Sequence, residues 1–221
     1  MTITKHKNII IILKFAEFAT ILSITYYTTI YQTNINVWIL VLGYTALLIL
    51  WLVDYYFSDI HVIKISLLVK SFYEHHGFDD LDDVRVTIHK GLGRTKYRQL
   101  IDYYPTGGKR GKTYSKDQGI VLYAFKSSNG EFSENFNNDN EKVQRLVDKY
   151  NYRKEEAIER LNDRKLSYYC CPILIDETKV WGVLYMSSKR LNTFPPEEQL
   201  STSNLSQNVK RLVKMIENEI N

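Results

Sequence analysis

The stretch SYYCCPILIDETKVWGVLYMSSKR, Ser167 to Arg190, decides the fold. Two runs rich in aromatic and β-branched residues flank Glu177-Thr178: LSYYCCPILID from Leu166, and KVWGVLYMSSKR from Lys179. Two such runs about a short polar turn read as a β-hairpin. The cysteines, Cys170 and Cys171, are adjacent on the first run. Strand neighbours point to opposite faces, so they form neither a disulfide framework nor a metal set. Core packing is the reading for both.

Upstream of the hairpin, VRVTIHK from Val84 alternates as a strand, and TKYRQLIDYYP from Thr95 reads as a second. Gly91, Gly93 and Arg94 are expected to turn the chain between them. A loop rich in Gly and basic residues follows (TGGKRGKTYSKDQG from Thr106), then a short helix, GIVLYAFKS from Gly119. EKVQRLVDKYN and RKEEAIERLN, between Glu141 and Asn162, are two helical pieces. Downstream, Leu205, Val209, Leu212, Val213, Ile216 and Ile220 make one stripe of an amphipathic closing helix. There is no internal repeat. The fold class is α+β, an antiparallel sheet flanked by helices.

This order of elements resembles a GAF domain, the small-molecule sensor module of many signalling proteins. SYYCCPILIDETKVWGVLYMSSKRLNTFPPEE is similar to the family's paired central strands in three respects. These are the Pro after the first run, the aliphatic-Gly-aliphatic-Leu-Tyr core and the Ser187-Ser188 exit. GIVLYAFKS is similar to its short helix after the variable loop. The resemblance covers about Ile60 to Ile220, with 130–151 the least typical part. It implies a sensor fold and names no ligand.

Two apolar segments precede this domain, at about Ile9–Tyr31 and Val37–Phe57. At about 1.5 Å per residue each suffices for a hydrocarbon core of about 30 Å. VWILVLGYTALLILWLV carries no charge, and Trp38 and Trp51 stand near its ends, as interface aromatics do. The five-residue link, Gln32 to Asn36, permits only a helical hairpin. Lys5 and Lys7 before it, and Lys64 and Lys70 after it, put both termini in the cytoplasm by the positive-inside rule. The expected location is the inner, cytoplasmic membrane. The expected organisation is a transmembrane hairpin (1–57), a connector helix (58–78) and a cytoplasmic GAF-like sensor domain (79–221). Along the connector Ile60, Ile63 and Leu67 recur at helical spacing, followed by either Val69 or Lys70, with Gly77 as a stop.

Within the first apolar segment Glu17, Thr20, Thr28 and Tyr31 share a face with Lys14 at its border. Polar faces on membrane helices turn to protein or water. An internal Lys14–Glu17 pair, an oligomer seam and a pore lining all fit. The expected partners are therefore the lipid bilayer and further copies of the chain.

The mean hydropathy of −0.28 is that of an ordinary soluble protein only because about 160 polar residues dilute the hairpin. The net charge of +4 is modest but unevenly spread. Arg94, Lys96, Arg98, Lys109, Arg110, Lys112 and Lys116 face one acid, Asp102, within 94–116. Arg forks match phosphate geometry, glycines admit close approach, and Tyr103, Tyr104 and Tyr114 offer stacking surfaces. Arg94, Arg98, Tyr103, Lys109, Arg110 and Lys112 are accordingly the expected ligand-binding residues. A small phosphorylated or nucleotide ligand, anionic lipid headgroups and plain solvation are the three readings of this loop.

Catalytic signals are weak. Gly107-Gly108-Lys109-Arg110-Gly111-Lys112-Thr113 is one residue short of a P-loop. His75 and His76 diverge on a helix, and His61 and His89 lack nearby partners in sequence, so no metal site is expected. GAF-like methionine sulfoxide reductases use several separated cysteines, which this chain lacks. No cofactor, no enzymatic activity and no duplex nucleic acid partner are expected. With no catalytic or DNA-binding module read after the closing helix, the output is expected to run through the hairpin or through a partner. In outline the architecture resembles the two-helix membrane effectors under a nucleotide sensor in bacterial anti-phage signalling. The alternative is a membrane-tethered adaptor.

Overall fold

The structure, a computed structural model, describes residues 37–76, 78, 83–93, 96–115, 118–126, 130–175 and 178–220. The first apolar segment, with Lys14, Glu17, Thr20 and Thr28, lies outside the described residues, as does Arg94.

Val37–His76 is one unbroken 40-residue helix, α1. Among the residues whose side chains are described, no helix is long and apolar enough to cross a membrane. A compact unit runs from Lys64 to Glu219. Within it Ile65 and Val69 of α1 are buried, while Leu67 is 59% exposed and, just outside it, Ile63 is 53% exposed. The spacing 60, 63, 67 is helical, but the face that packs is the one carrying 65 and 69. Of Val69 and Lys70, between which the spacing left the choice open, Val69 is the buried one.

Six antiparallel strands follow: β1 (Arg85–Leu92), β2 (Lys96–Gln99), β3 (Thr113–Ser115), β4 (Phe132–Asn135), β5 (Ser167–Ile175) and β6 (Lys179–Ser188). Their order in the sheet is β3-β2-β1-β6-β5-β4. The decisive hairpin, β5–β6, therefore lies inside the sheet, with β6 between β5 and β1. Alternation along these strands buries both faces. Val86, Ile88, Tyr169, Cys171, Leu184 and Met186 share one face, and Cys170, Val183 and Tyr185 lie on the other.

Helix α5 (Asn204–Ile220) buries its whole expected stripe. Glu217 accepts from the Leu174 N–H at 3.1 Å, and Lys64 donates to Glu219 at 3.1 Å. The cluster containing Tyr185, Val183 and Cys170 is covered by α2 (Ile120–Lys126), α3 (Asp139–Asp148) and α4 (Lys154–Glu159). Helix α3 is capped by Asn138, whose side chain accepts from the Glu141 N–H at 2.9 Å. Buried Glu134 of β4 ties down its far end, accepting from Lys149 at 2.8 Å and from Arg145 and the Tyr150 hydroxyl.

Three local expectations are corrected. Gly91 lies within β1, opposite Tyr97, so the turn begins at Gly93. The basic loop contains an edge strand, β3, because Tyr114 packs its ring on Tyr97 across the ladder at 5.2 Å. The expected strand from Thr95 stops at Gln99 and bulges before Tyr104 rejoins β1 opposite Val86. Inside the bulge the Ile101 carbonyl accepts from Thr87 Oγ1 at 2.7 Å and Gln99 Nε2 at 2.9 Å, which satisfies it without a ladder bond.

Candidate functional site

On the helix-covered side of the sheet lies a cavity of about 70 Å³. Its sheet side is aromatic: His89 of β1, Tyr97 of β2, Tyr114 of β3, Tyr168 of β5 and Tyr185 of β6, with Tyr103 from the bulge. Ile120, Val121 and Leu146 close it from α2 and α3. Tyr152, Arg160 and Asp163 complete it from the segments around α4, the last two within a 3₁₀ turn, Arg160–Asp163.

The bulge is what delivers Tyr103. Gly108 holds it there: its φ is +88°, and a Cβ would lie 2.6 Å from Tyr103 Cδ2 and 3.0 Å from the Tyr103 nitrogen. Only glycine allows the basic loop to lie this close.

His89 stands edge-on to Tyr97, Tyr114 and Tyr185, with ring centroids 5.4, 5.7 and 5.7 Å away. It is 3% exposed, and its Nδ1 has no hydrogen-bond partner among the described residues. Burial, reinforced by the Lys165 charge, lowers its pKa to about 3, so the ring is neutral at physiological pH. The unfolded chain takes up a proton below its usual 6.5, and the folded chain does not. Stability is therefore present above pH 6.5 and is lost as pH falls towards 3. The wild-type protein should lose about 2 kcal/mol more than His89→Gln between pH 7 and pH 5. Urea titrations of both at the two pH values measure this, and parallel losses would place His89 in water.

The charges around the cavity are unbalanced. Asp163 Oδ1 accepts from Lys142 Nζ at 2.8 Å and from the Lys165 N–H at 3.0 Å. Its charge is thus matched by Lys142. The Arg160 guanidinium lies 5.5 Å over Tyr152, and the Lys165 ammonium lies 5.1 Å over Tyr103 and 5.9 Å over Tyr185. Arg85 is close enough to act on both Tyr103 and Lys165. Arg85, Arg160 and Lys165 make no ion pair among the described residues. Burial raises the pKa values of Tyr97, Tyr103, Tyr168 and Tyr185, keeping their hydroxyls protonated and able to donate.

Of the expected ligand residues that the structure describes, Tyr103 alone lines this cavity. Arg98 is half-buried on β2 and alternates with Tyr97, so it points to the other side of the sheet. Lys109, Arg110 and Lys112 are exposed. The Arg110 N–H donates to Asp102 at 2.7 Å, and the Lys112 ammonium sits 5.2 Å over the Tyr114 ring. In the sequence Arg160 stands inside the helical piece RKEEAIERLN, Lys165 just beyond it, and His89 inside a strand. Their signal is legible only once β1, β5 and the 3₁₀ turn are adjacent.

Neither cysteine is part of this site's chemistry. Burial pushes the Cys171 thiol up to about 12, and raises Cys170 well above its ordinary value. Among the described residues no group of His, Cys, Asp and Glu side chains is arranged to hold a metal.

No family model and no curated protein matches the chain. Solved structures similar to it include the GAF domain region of a protein from Geobacter sulfurreducens PCA. That match has 19% identity over 72% of this chain and 93% of the other, with a TM-score of 0.47. The GAF domain of a two-component sensor histidine kinase from Bacillus halodurans matches at 15% identity over 69% and 95%, with a TM-score of 0.44. Free methionine-R-sulfoxide reductase from Neisseria meningitidis matches at 15% identity over 62% and 66%, with a TM-score of 0.41. At these values the likeness says nothing of ligand, chemistry or partners.

Proposed function

We propose that this chain is a GAF-like sensor that binds a small organic anion in the tyrosine-lined cavity. One observation carries the reading: among the described residues three cations make no ion pair, Arg160 in the cavity wall and Arg85 and Lys165 beside its Tyr103, around protonated tyrosines and a His89 nitrogen with no hydrogen-bond partner. Charge favours an anion, and the flat rings favour a planar one. A space of about 70 Å³ suits a few heavy atoms, so the phosphorylated or nucleotide ligand expected from the basic loop narrows to a small acid. The domain is a binding module without enzymatic turnover. The test is a melting-temperature panel on the full chain in detergent with acetate, oxalate, glyoxylate, pyruvate, benzoate and phosphate. A carboxylate is expected to raise the melting point in a concentration-dependent way. A flat response to every anion would overturn the reading.

For the output, the proposal follows the apolar N-terminal segments. They hold the domain at a membrane, and the polar face of Lys14, Glu17, Thr20 and Thr28 assembles copies of the chain. Helix α1 connects the second segment to the sensor without a break. Topology reporters fused at Asn34 and Asn221 should report opposite sides of the bilayer; matching signals would remove the hairpin.

A further inference from the structure

Lys165 differs from an ordinary surface lysine. Its stem is half-buried, and its ammonium faces two tyrosine rings that line the cavity. No acceptor hydrogen-bonds it among the described residues. The acid within reach, Asp163, is committed through Oδ1 to Lys142 and to the Lys165 backbone. The charged groups acting on it are Asp163 and Asp83, which favour its charged form, and Arg85 and Arg160, which oppose it. Asp83 is itself paired with Lys189 at 3.1 Å. Burial leads these influences and brings the ammonium down to about 8, so a useful fraction is free amine at neutral pH.

We infer that Lys165 is a covalent capture site for small oxo acids, its amine condensing with the carbonyl of a ligand whose carboxylate is held by the neighbouring arginines. This deepens the anion-sensing reading and rests on it. In the step, the Nζ lone pair attacks the carbonyl carbon to give a carbinolamine. Loss of the former carbonyl oxygen as water, with both amine hydrogens, then forms the C=N bond. The condensation consumes one amine and one carbonyl, releases one water and needs no oxidant or reductant. It is reversible, as a sensor requires.

Glyoxylate with cyanoborohydride traps such an imine as a carboxymethyl-lysine, which peptide mass spectrometry locates. In the full-length protein at limiting reagent and pH 7.5, Lys165 should be labelled about tenfold faster than exposed Lys179. Lys165→Arg should leave no modification at that site, while oxalate, which offers no aldehyde or ketone, should raise the melting point of the wild-type protein without labelling it. Lys165 labelled no faster than Lys179, with the oxalate shift intact, would overturn the capture site and leave anion sensing standing. Rapid labelling of Lys165 with no shift from oxalate would support the reactive amine and overturn the anion reading instead. Labelling that is equally fast after urea unfolding would show that the fold confers no reactivity, and would overturn the inference.

Discussion

Lys142→Met should destabilise the protein by about 2–3 kcal/mol and weaken anion binding about tenfold. The Lys142 side chain is 1% exposed, and its ammonium donates to the Arg160 carbonyl at 2.9 Å and to Asp163 Oδ1 at 2.8 Å. It thereby nails the 3₁₀ turn Arg160–Asp163 onto α3. Methionine keeps the volume of the stem and removes the donors, so the cost is that of unpartnered acceptors and not of a cavity. Asp163 is 27% exposed and can recover part of its hydration, which keeps the loss below that of a fully buried pair. The released carboxylate is then free to turn to Arg160 or Lys165 and compete with a ligand. Urea unfolding and calorimetry on one preparation measure both effects. A change under 0.5 kcal/mol with undiminished affinity would show that the turn is held by something other than Lys142.

Gly182→Val should cost about 3 kcal/mol and distort the cavity from the sheet side. Gly182 sits in β6 between Ile173 of β5 and Lys90 of β1. A Cβ there would lie 2.8 Å from the His89 carbonyl oxygen, which is backbone and cannot swing away. Either β1 moves, carrying His89 with it, or the β1–β6 ladder opens locally. Both outcomes reach the tyrosine cage, because His89 packs on Tyr97, Tyr114 and Tyr185. A denaturation midpoint within experimental error of wild type would mean that β1 and β6 have slack the register does not reveal.

The hairpin of Tyr168 to Ser188, the closing helix and the Ile120 helix were legible because each writes its own period into consecutive residues. Leu205, Val209, Leu212, Val213, Ile216 and Ile220 are all buried, as the stripe requires. Strand β4 was missed: Phe132-Ser133-Glu134-Asn135 is short, carries an acid, and owes its place to Cys170 and Tyr168 across the ladder. Of the described residues expected to bind a ligand, Tyr103 is the one that the candidate cavity shares. Charge clusters are local in sequence, and so the expected residues Lys109, Arg110 and Lys112 lie on one loop, which the structure leaves exposed. The cavity draws on β1, β2, β3, β5, β6, α2 and α3. In a chain with 17 tyrosines, no single Tyr announces that six of them will converge. Arg160 stands near the end of the helical piece RKEEAIERLN, and it is Lys142, 18 residues away, that ties down the turn carrying it.

The central claim is that the ligand sits in the cavity and not on the basic loop. Calorimetric titration of the carboxylate giving the largest melting shift, into Arg160→Gln and into Arg110→Glu, tests it most directly. Arg160 is in the cavity wall, and Arg110 is exposed on the loop. Arg160→Gln should lose about 2 kcal/mol of binding, a charge-assisted contact, with its melting point in the absence of ligand unchanged. Arg110→Glu should bind within a factor of about three of wild type, the residual effect of a distant charge. Full affinity in Arg160→Gln together with none in Arg110→Glu would contradict the account and return the site to the loop.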